Sequence, residues 1–549
     1  MPYLKSIYFY FLAIKINLIK IIKKVFFTTS YYNKTLKTQI PNKFHFFPNS
    51  FLLSSITNYK NFSLNLTDIN VDKFWSKQAS EFEEKKINSF LWLNLIDRKN
   101  DGKVIQKIIS HWINKNNKYK NKTWENPVIS RRIISWILNS EIIFSNTDVY
   151  FKENFLQSIV VQTNHLKNNI KFERNNSKKI EILTAILLSG LVFKEYIENF
   201  NLAIKELEKL VEEFFDVDGF PLSRNPNHLL KFSKYLILIK ECTKDSQLFI
   251  PDFLDEIIEK TLICLKKIET PESKIPLFNG GTEIEIEEYL NYINNLNYKI
   301  KSNNLFVGNL NILKYKKHIV FFDVGGPPKK NYSKAYQCGP LSFEYYNDKK
   351  KIITNCGFGY NISKKAMLLS RLTSAQSALS INDTSVLKFE RNKLLNKAFG
   401  NSIKSSFKVF DFNFLENEAM IISEAAHDAY ETSLGCIHKR VIKIDKQNES
   451  LIGTDSLTKK KDIQTIKYDI RFHLSPGIEA VQTIGGNSIL IKVNKNKSLI
   501  FSSENQLISV EKSIFLGGNK ILNNHCITIT GNLNNENKVI NWEIKKNIN

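Results

Sequence analysis

His228 lies in the stretch SRNPNHLL, after Asn225 and Pro226 and with no apolar periodicity that would bury it. The stretch reads as a loop, and loops on a rigid scaffold are where binding and catalytic groups concentrate. An imidazole titrates near neutral pH, so a histidine placed there can take or give a proton. Tyr336 and Tyr360 flank a second stretch, QCGPLSFEYYNDKKKIITNCGFG. Its two apolar, alternating segments around a polar turn predict a β-hairpin. The two phenols are further candidates for proton transfer, or packed rings with satisfied hydroxyls. Arg371 can hold a carboxylate through two parallel hydrogen bonds, or serve a structural ion pair. His438 and Arg440 are two apart in CIHKRVIKI and therefore face one side of a strand, lining a cleft or a solvated face. FFDVGG lacks the G-x-G-x-x-G spacing and a following helix, so it is not a phosphate loop. The six cysteines form no C-x-x-C pair, which argues against a thiolate zinc site.

These residues need elements to carry them, and the period of the chain supplies two kinds. At 549 residues the chain is too long for one ordinary core. Residues 72–304 read as helical: in VIQKIISHWINK, Ile105, Ile108, Ile109, Trp112 and Ile113 recur at helical spacing. RRIISWILNSEIIF and KKIEILTAILLSGLVFKEYI behave alike, and Pro127 and Pro226 punctuate the runs. Successive helices without strands between them predict stacked antiparallel pairs. Over residues 305–549 the period becomes two. HIVFFDV, LSFEYY, KIITNC, SALSIND, CIHKRVIKI, NSILIKV and KSLIFSS predict an antiparallel β-sandwich.

Residues 1–71 form a third segment. IYFYFLAI (Ile7–Ile14) is apolar, but Lys15, Lys20, Lys23 and Lys24 come directly after it. No run of about 20 apolar residues exists, so no transmembrane span is expected. No small-residue cleavage site succeeds the apolar run either. A basic amphipathic helix, lying on a membrane surface or on the protein itself, fits the pattern. The net charge of +24 is either a field that attracts a polyanion or a lysine-rich composition spread over solvated faces. No nucleic-acid-binding motif accompanies it, so a nucleic-acid partner is not expected.

FFDVGGPP, GPLSFEYYNDKKKIITNCGFGY, RLTSAQSALSINDTS, AAHDAYETSLGCIHKRVIKI and IRFHLSPG occur in that order. This series resembles the C-terminal domain of the heparinase II/III family of polysaccharide lyases. In the helical half, DVDGFPLSRNPNHLLKF and LFNGGTE resemble that family's cleft-facing loops. The resemblance spans roughly residues 75 to 500. It implies an α/α toroid followed by an antiparallel β-sandwich, with β-elimination at a uronic acid as the chemistry. Such a reaction neutralises the substrate carboxylate, removes the C5 proton and protonates the leaving oxygen, without a redox cofactor.

The resemblance also marks departures. Gln337 stands where the family carries a cleft histidine, Asn355 where an aspartate is common, and Gln376 where a second histidine lies. Neutral amides are poor zinc ligands beside imidazole or carboxylate, so no metal and no other cofactor are expected there. Ser177 falls near a family asparagine, and His228 near the family's tyrosine base. The implied catalytic set is His228, Tyr336 and Tyr360. The implied substrate-binding set is Gln337, Arg371, Gln376, His438 and Arg440, with His427 and His473 also on the family pattern. The expected function is cleavage of an acidic, glycosaminoglycan-like polysaccharide. The alternative is a non-catalytic glycan-binding or envelope-assembly protein that keeps the lyase fold. The resemblance implies a bacterial cell-envelope or periplasmic location, while the missing cleavage site points to the cytoplasm.

Overall fold

The computed structural model describes residues 2–57, 71–76, 81–96, 102–145, 147–300, 305–461, 465–504, 506–534 and 536–547. They group into two compact units that do not follow a single cut of the chain. One comprises Met1–Ala13, Asp216–Leu229 and Leu262–Asn549; the other comprises Ile14–Phe215 and Leu230–Thr261.

The second unit is helical. Gly102–Asn116 buries Ile105, Ile108, Ile109, Trp112 and Ile113, the stripe that its spacing predicts. Asn126–Leu138 starts with Pro127 in its first turn, where a missing N–H costs nothing. Val149–Ile170 is capped by Asp148, whose carboxylate accepts from the Phe151 N–H at 2.7 Å. Asn176–Val192 is apolar nearly all round and is accordingly central. It packs against Asn126–Leu138, Val149–Ile170 and Ile197–Phe214. A Cβ at Gly190 would strike the Phe200 backbone, so only glycine lets those two helices approach. Within this unit Glu181 is buried and accepts from Arg131 at 2.8 Å and from Lys231.

The other unit holds two antiparallel sheets. The first runs Phe306–Val307, Leu310–Tyr315, His318–Asp323, Phe343–Asn347, Lys350–Thr354, Ile466–Leu474, Leu522–Leu533 and Leu507–Phe515, with Leu379–Ile381 added on Ile466–Leu474. The second runs Glu479–Gln482, Ser488–Asn494, Lys497–Ser502, Lys538–Lys546, Ser450–Lys459, Cys436–Asp445, Met420–His427 and Val409–Glu416. Alternating burial along Cys436–Asp445 matches the two-residue period of its sequence. The inward faces form one sandwich core, in which Trp542 of the second sheet stacks on Phe343 of the first at 5.6 Å. Gly453 lies opposite Trp542 in the ladder, and a side chain there would collide with the indole. A helical region of α/α toroid type followed by an antiparallel sandwich is thus the architecture: the two periods predict the helices and the sandwich, and the family resemblance implies the toroid.

The N-terminal segment opens on a helix. Pro2–Thr28 is one helix of 27 residues. Ala13, Ile16 and Asn17 are buried, whereas Ile7, Phe11, Ile14, Leu18, Ile21, Ile22 and Val25 are exposed. At 100° per residue those seven share one stripe, opposite the buried face. Among the described residues no helix is long and apolar enough to cross a membrane.

Candidate functional site

The loops picked out in the sequence converge within the sandwich-bearing unit. His228 is not in a loop: it occupies the first turn of the helix Pro226–Asp245. Proline is pre-set for the first helical position, and Asn225 caps the helix by accepting from the Asn227 N–H at 2.9 Å. The cue is present in the sequence, where Asn-Pro is a cap and first helical residue as much as a breaker. His228 is half-buried, and its Nδ1 pairs with the Ser223 hydroxyl at 2.8 Å. Beside it, Asn227 donates to the Thr282 hydroxyl at 2.8 Å.

An ion pair fixes this loop. Arg224 pairs with Asp323 and donates to the Gly325 and Gly326 carbonyls at 3.0 and 2.9 Å. Asp323 also accepts from Asn279 at 3.3 Å. These are the residues of FFDVGG and LFNGG, so both motifs hold the His228 loop in place. Arg224 and Asp323 are the site residues that sequence reasoning misses; the signal is an Asp-x-Gly motif with no assigned partner. Alongside opens a pocket of about 360 Å³ whose walls include Asp216, Phe220, Arg224, Asn309, Lys329 and Tyr332. Burial raises the Asp216 pKa above its usual value.

The three amides are inside the protein. Gln337 accepts from the Gly280 N–H at 3.0 Å and donates to the Gly357 and Ser370 carbonyls at 3.1 and 2.7 Å. Gln376 donates to the Ser370 carbonyl at 2.8 Å, and Asn355 accepts from the Ser377 N–H at 3.0 Å. Gln337 therefore ties the NGG loop to the hairpin and to the segment before Arg371. Replacing it with leucine strands the Gly280 N–H and leaves the Gly357 carbonyl only the weak Cys356 thiol donor. At about 1–3 kcal/mol per buried unpaired group, Gln337→Leu is expected to lower the urea midpoint clearly. A change within the scatter of surface variants would contradict this role for Gln337. Among the described residues no group of three or more His, Cys, Asp or Glu is placed to hold a metal.

Arg371 is buried, and all three of its nitrogens donate to carbonyls: Tyr336 at 2.8 Å, Asn401 at 2.6 Å and Ser333 at 2.9 Å. Burial lowers its pKa to about 10. It positions loops, and among the described residues no salt bridge accounts for it. Tyr336 is buried, and desolvation raises its pKa well above the ordinary phenol value. Tyr360, in contrast, is 68% exposed and stacks on Phe358. His438 and Arg440 do share one side of a strand, and that side faces the core. His438 lies 3.0 Å from His427 and 2.7 Å from Asp455, and Arg440 donates to the same Asp455 oxygen at 2.7 Å. Neither the cleft nor a solvated face receives them. His473 is buried between Ser513 and the Ser374 carbonyl, both at 3.0 Å. Ser177 lies half-buried in the first turn of Asn176–Val192, in the helical unit. Of the sequence-predicted proton-transfer groups, His228 and Tyr360 are the ones that reach the surface.

Residues 301–543 match the family described as heparinase II/III-like, C-terminal. Heparan sulfate lyase HepC from Pedobacter heparinus has a similar structure, with a TM-score of 0.63 at 13% identity over 95% of this chain and 88% of that one. Heparinase III gives 0.65 at 14% identity over 90% and 84%. Chondroitinase AC lyase gives 0.54 at 9% over 91% and 82%. At these identities the likeness carries the fold. FtsZ-localized protein C of Caulobacter vibrioides is 25% identical over 185 residues, which span 32% of this chain and 31% of that relative. Residues 301–543 thus carry a heparinase II/III-like C-terminal domain, and the chain shares the fold of these lyase structures over nearly its whole length.

Proposed function

We propose that the protein is a polysaccharide lyase that cleaves an acidic, uronate-containing glycan by β-elimination, with His228 moving the C5 proton. The observation that carries this reading is the convergence of the family loops on His228, a half-buried imidazole held by Ser223 at a capped helix start. A histidine near the position of the family's tyrosine keeps a proton-transfer group there, while the cleft histidine has become the structural Gln337. Tyr360 is the second group at the surface that can carry a proton. The test is a screen of heparan sulfate, chondroitin and other anionic polysaccharides for the unsaturated uronate product, which absorbs in the ultraviolet. Product formation supports the reading. Saturable glycan binding without product across the panel favours the alternative, a glycan-binding envelope protein. The conversion of Gln337 and Gln376 into internal clamps, and the likeness to an FtsZ-localized protein, favour that alternative.

We propose further that the helix Pro2–Thr28 lies on an anionic membrane surface, which would place the protein in the cell envelope. Its exposed stripe of seven apolar residues is flanked by exposed Lys15 and Lys24, and no acidic residue occurs before Asp68. Apolar burial and attraction to anionic headgroups add in such helices. The full chain is expected to co-sediment with phosphatidylglycerol-containing vesicles, and less so as salt rises. Ile14→Glu with Leu18→Glu should abolish binding. Equal binding to neutral vesicles, or no effect of the double change, would count against this placement.

A further inference from the structure

At one end of the sandwich, far in sequence from the His228 loop, lies a second pocket of about 260 Å³. It is built from strand ends of both sheets: His318, Tyr345 and Asn347 from the first, Lys497, Leu499 and Ile544 from the second. That volume suits one monosaccharide-sized ligand, being below the roughly 300–1,000 Å³ of sites for drug-sized molecules.

Two polar groups in its wall are unpartnered. His318 and Asn347 are 1% exposed and directly opposite each other in the ladder. Among the described residues, His318 Nε2 and Asn347 Oδ1 have no hydrogen-bond partner. The hydrogen bonds around them define the unmet capacity. Asn347 Nδ2 donates to the Tyr345 hydroxyl at 2.8 Å, so that hydroxyl donates to His318 Nδ1, also at 2.8 Å. The imidazole proton then sits on Nε2. The pocket presents one unmet N–H donor and one unmet carbonyl acceptor. Turning the Asn347 amide over reverses the chain, yet still leaves one donor and one acceptor. A group that accepts one hydrogen bond and donates another satisfies both, and a hydroxyl does so. Leaving such groups unmet in a buried wall is unfavourable.

The rim adds charge. Lys317, Lys497, Lys545 and Lys546 line the pocket against two carboxylates, Asp348 and Glu449. Lys317 pairs with Glu449, Lys497 with Asp348 and Lys545 with Glu543, which leaves Lys546 as the rim lysine without a carboxylate partner among the described residues. Burial, with Lys317 nearby, lowers the His318 pKa to about 4, so the imidazole is neutral at physiological pH and the positive charge stays on the lysines.

From the pocket's size, its unmet donor–acceptor pair and its cationic rim, we infer that it binds a sugar acid, with a hydroxyl seated between His318 and Asn347 and the acid group facing the lysines. This inference stands apart from the lyase reading, because none of its residues belongs to the His228 loops. Titration calorimetry of the full chain with glucuronate, glucose and inorganic sulfate tests it. Saturable glucuronate binding is expected, with glucose and sulfate each weaker by about tenfold or more, roughly 1.4 kcal/mol. Lys317→Gln with Lys497→Gln, both at the rim, should weaken glucuronate by a similar factor and leave the melting temperature near that of the parent. Asn347→Asp, which puts a negative charge in the wall of a pocket that takes an anion, should weaken glucuronate further. An oligosaccharide ending in glucuronate that binds as well as the monosaccharide identifies a chain end as the ligand. Its exclusion identifies the free sugar acid. Absence of saturable glucuronate binding, binding unchanged by the rim variant, or sulfate binding as well as glucuronate (an adventitious ion only) would each overturn the inference.

Discussion

His228→Ala is expected to lower the rate of unsaturated-product formation by roughly 10²–10⁴-fold, the usual effect of deleting a general acid or base. Half-buried in the first helical turn, the side chain contacts the Ser223 hydroxyl, so its removal leaves the Asn225 cap and the Arg224–Asp323 pair intact. The loss should therefore appear in kcat, with KM and glycan binding nearly unchanged. A rise in KM with kcat preserved would make His228 a binding group. Undiminished product would move the proton to Tyr360, and Tyr360→Phe would then carry the loss. Ser223→Ala is the graded control. It removes the partner of Nδ1 without removing the imidazole, so it should shift the pH profile of kcat and lower its maximum less than His228→Ala does.

The fold is legible where periodicity is strong, and the site is legible only where a motif carries its own chemistry. The helices over Gly102–Val192 and the strands from His318 onward come from periods of 3.6 and 2. The helix Pro2–Thr28 is legible as a type, though its apolar stripe faces solvent, and burial is not written in a one-dimensional pattern. Val409–Glu416 alternates as well, Phe410, Phe412 and Phe414 with Asp411 and Asn413, yet the strand is nearly all exposed, so its period marks a strand without marking a buried face. Spacing alone puts His438 and Arg440 on one side of a strand. Which side became the core depended on Asp455 and Trp542, which lie on other strands, and no local signal links them. Gln337 illustrates the remaining gap. Its identity shows that a cleft histidine is absent, but its three backbone partners come from loops remote in sequence.

Asp455→Ala is expected to destabilise the sandwich by about 3–5 kcal/mol, because it leaves the Arg440 charge buried and unpaired. Arg440 is fully buried, and Asp455 accepts from it at 2.7 Å, from His438 at 2.7 Å and from the Trp542 indole at 2.9 Å. The proton positions are determined. The Ala429 N–H donates to His427 Nδ1 at 3.2 Å, so His427 is protonated on Nε2 and donates to His438 Nδ1. His438 then donates from Nε2 to Asp455, and both rings are neutral. Burial would raise the Asp455 pKa, but Arg440 and the His438 hydrogen bond outweigh it and hold the carboxyl well below its ordinary range. For His427 and His438, burial is the first cause of a pKa lowered below the usual imidazole value. His473 and His318 are lowered to about 4 and His165 to about 3, again first by burial. Each histidine is easier to protonate in the unfolded chain, whose imidazoles titrate near pH 6.5. Their contribution is therefore intact above about pH 6.5 and is lost as pH falls toward the folded values, at roughly 1.4 kcal/mol per pH unit for each group. The carboxyl of Asp455 adds its own loss only below about pH 4, where the unfolded chain begins to bind that proton. Urea midpoints measured from pH 8 down to pH 4 should hold steady to about pH 6.5 and then fall steeply, before carboxylates titrate. His438→Gln, which keeps a donor toward Asp455 but no longer titrates, should make that fall shallower. A midpoint flat down to pH 5, or Asp455→Ala within about 1 kcal/mol of the parent, would mean that the network is hydrated and does not order the core.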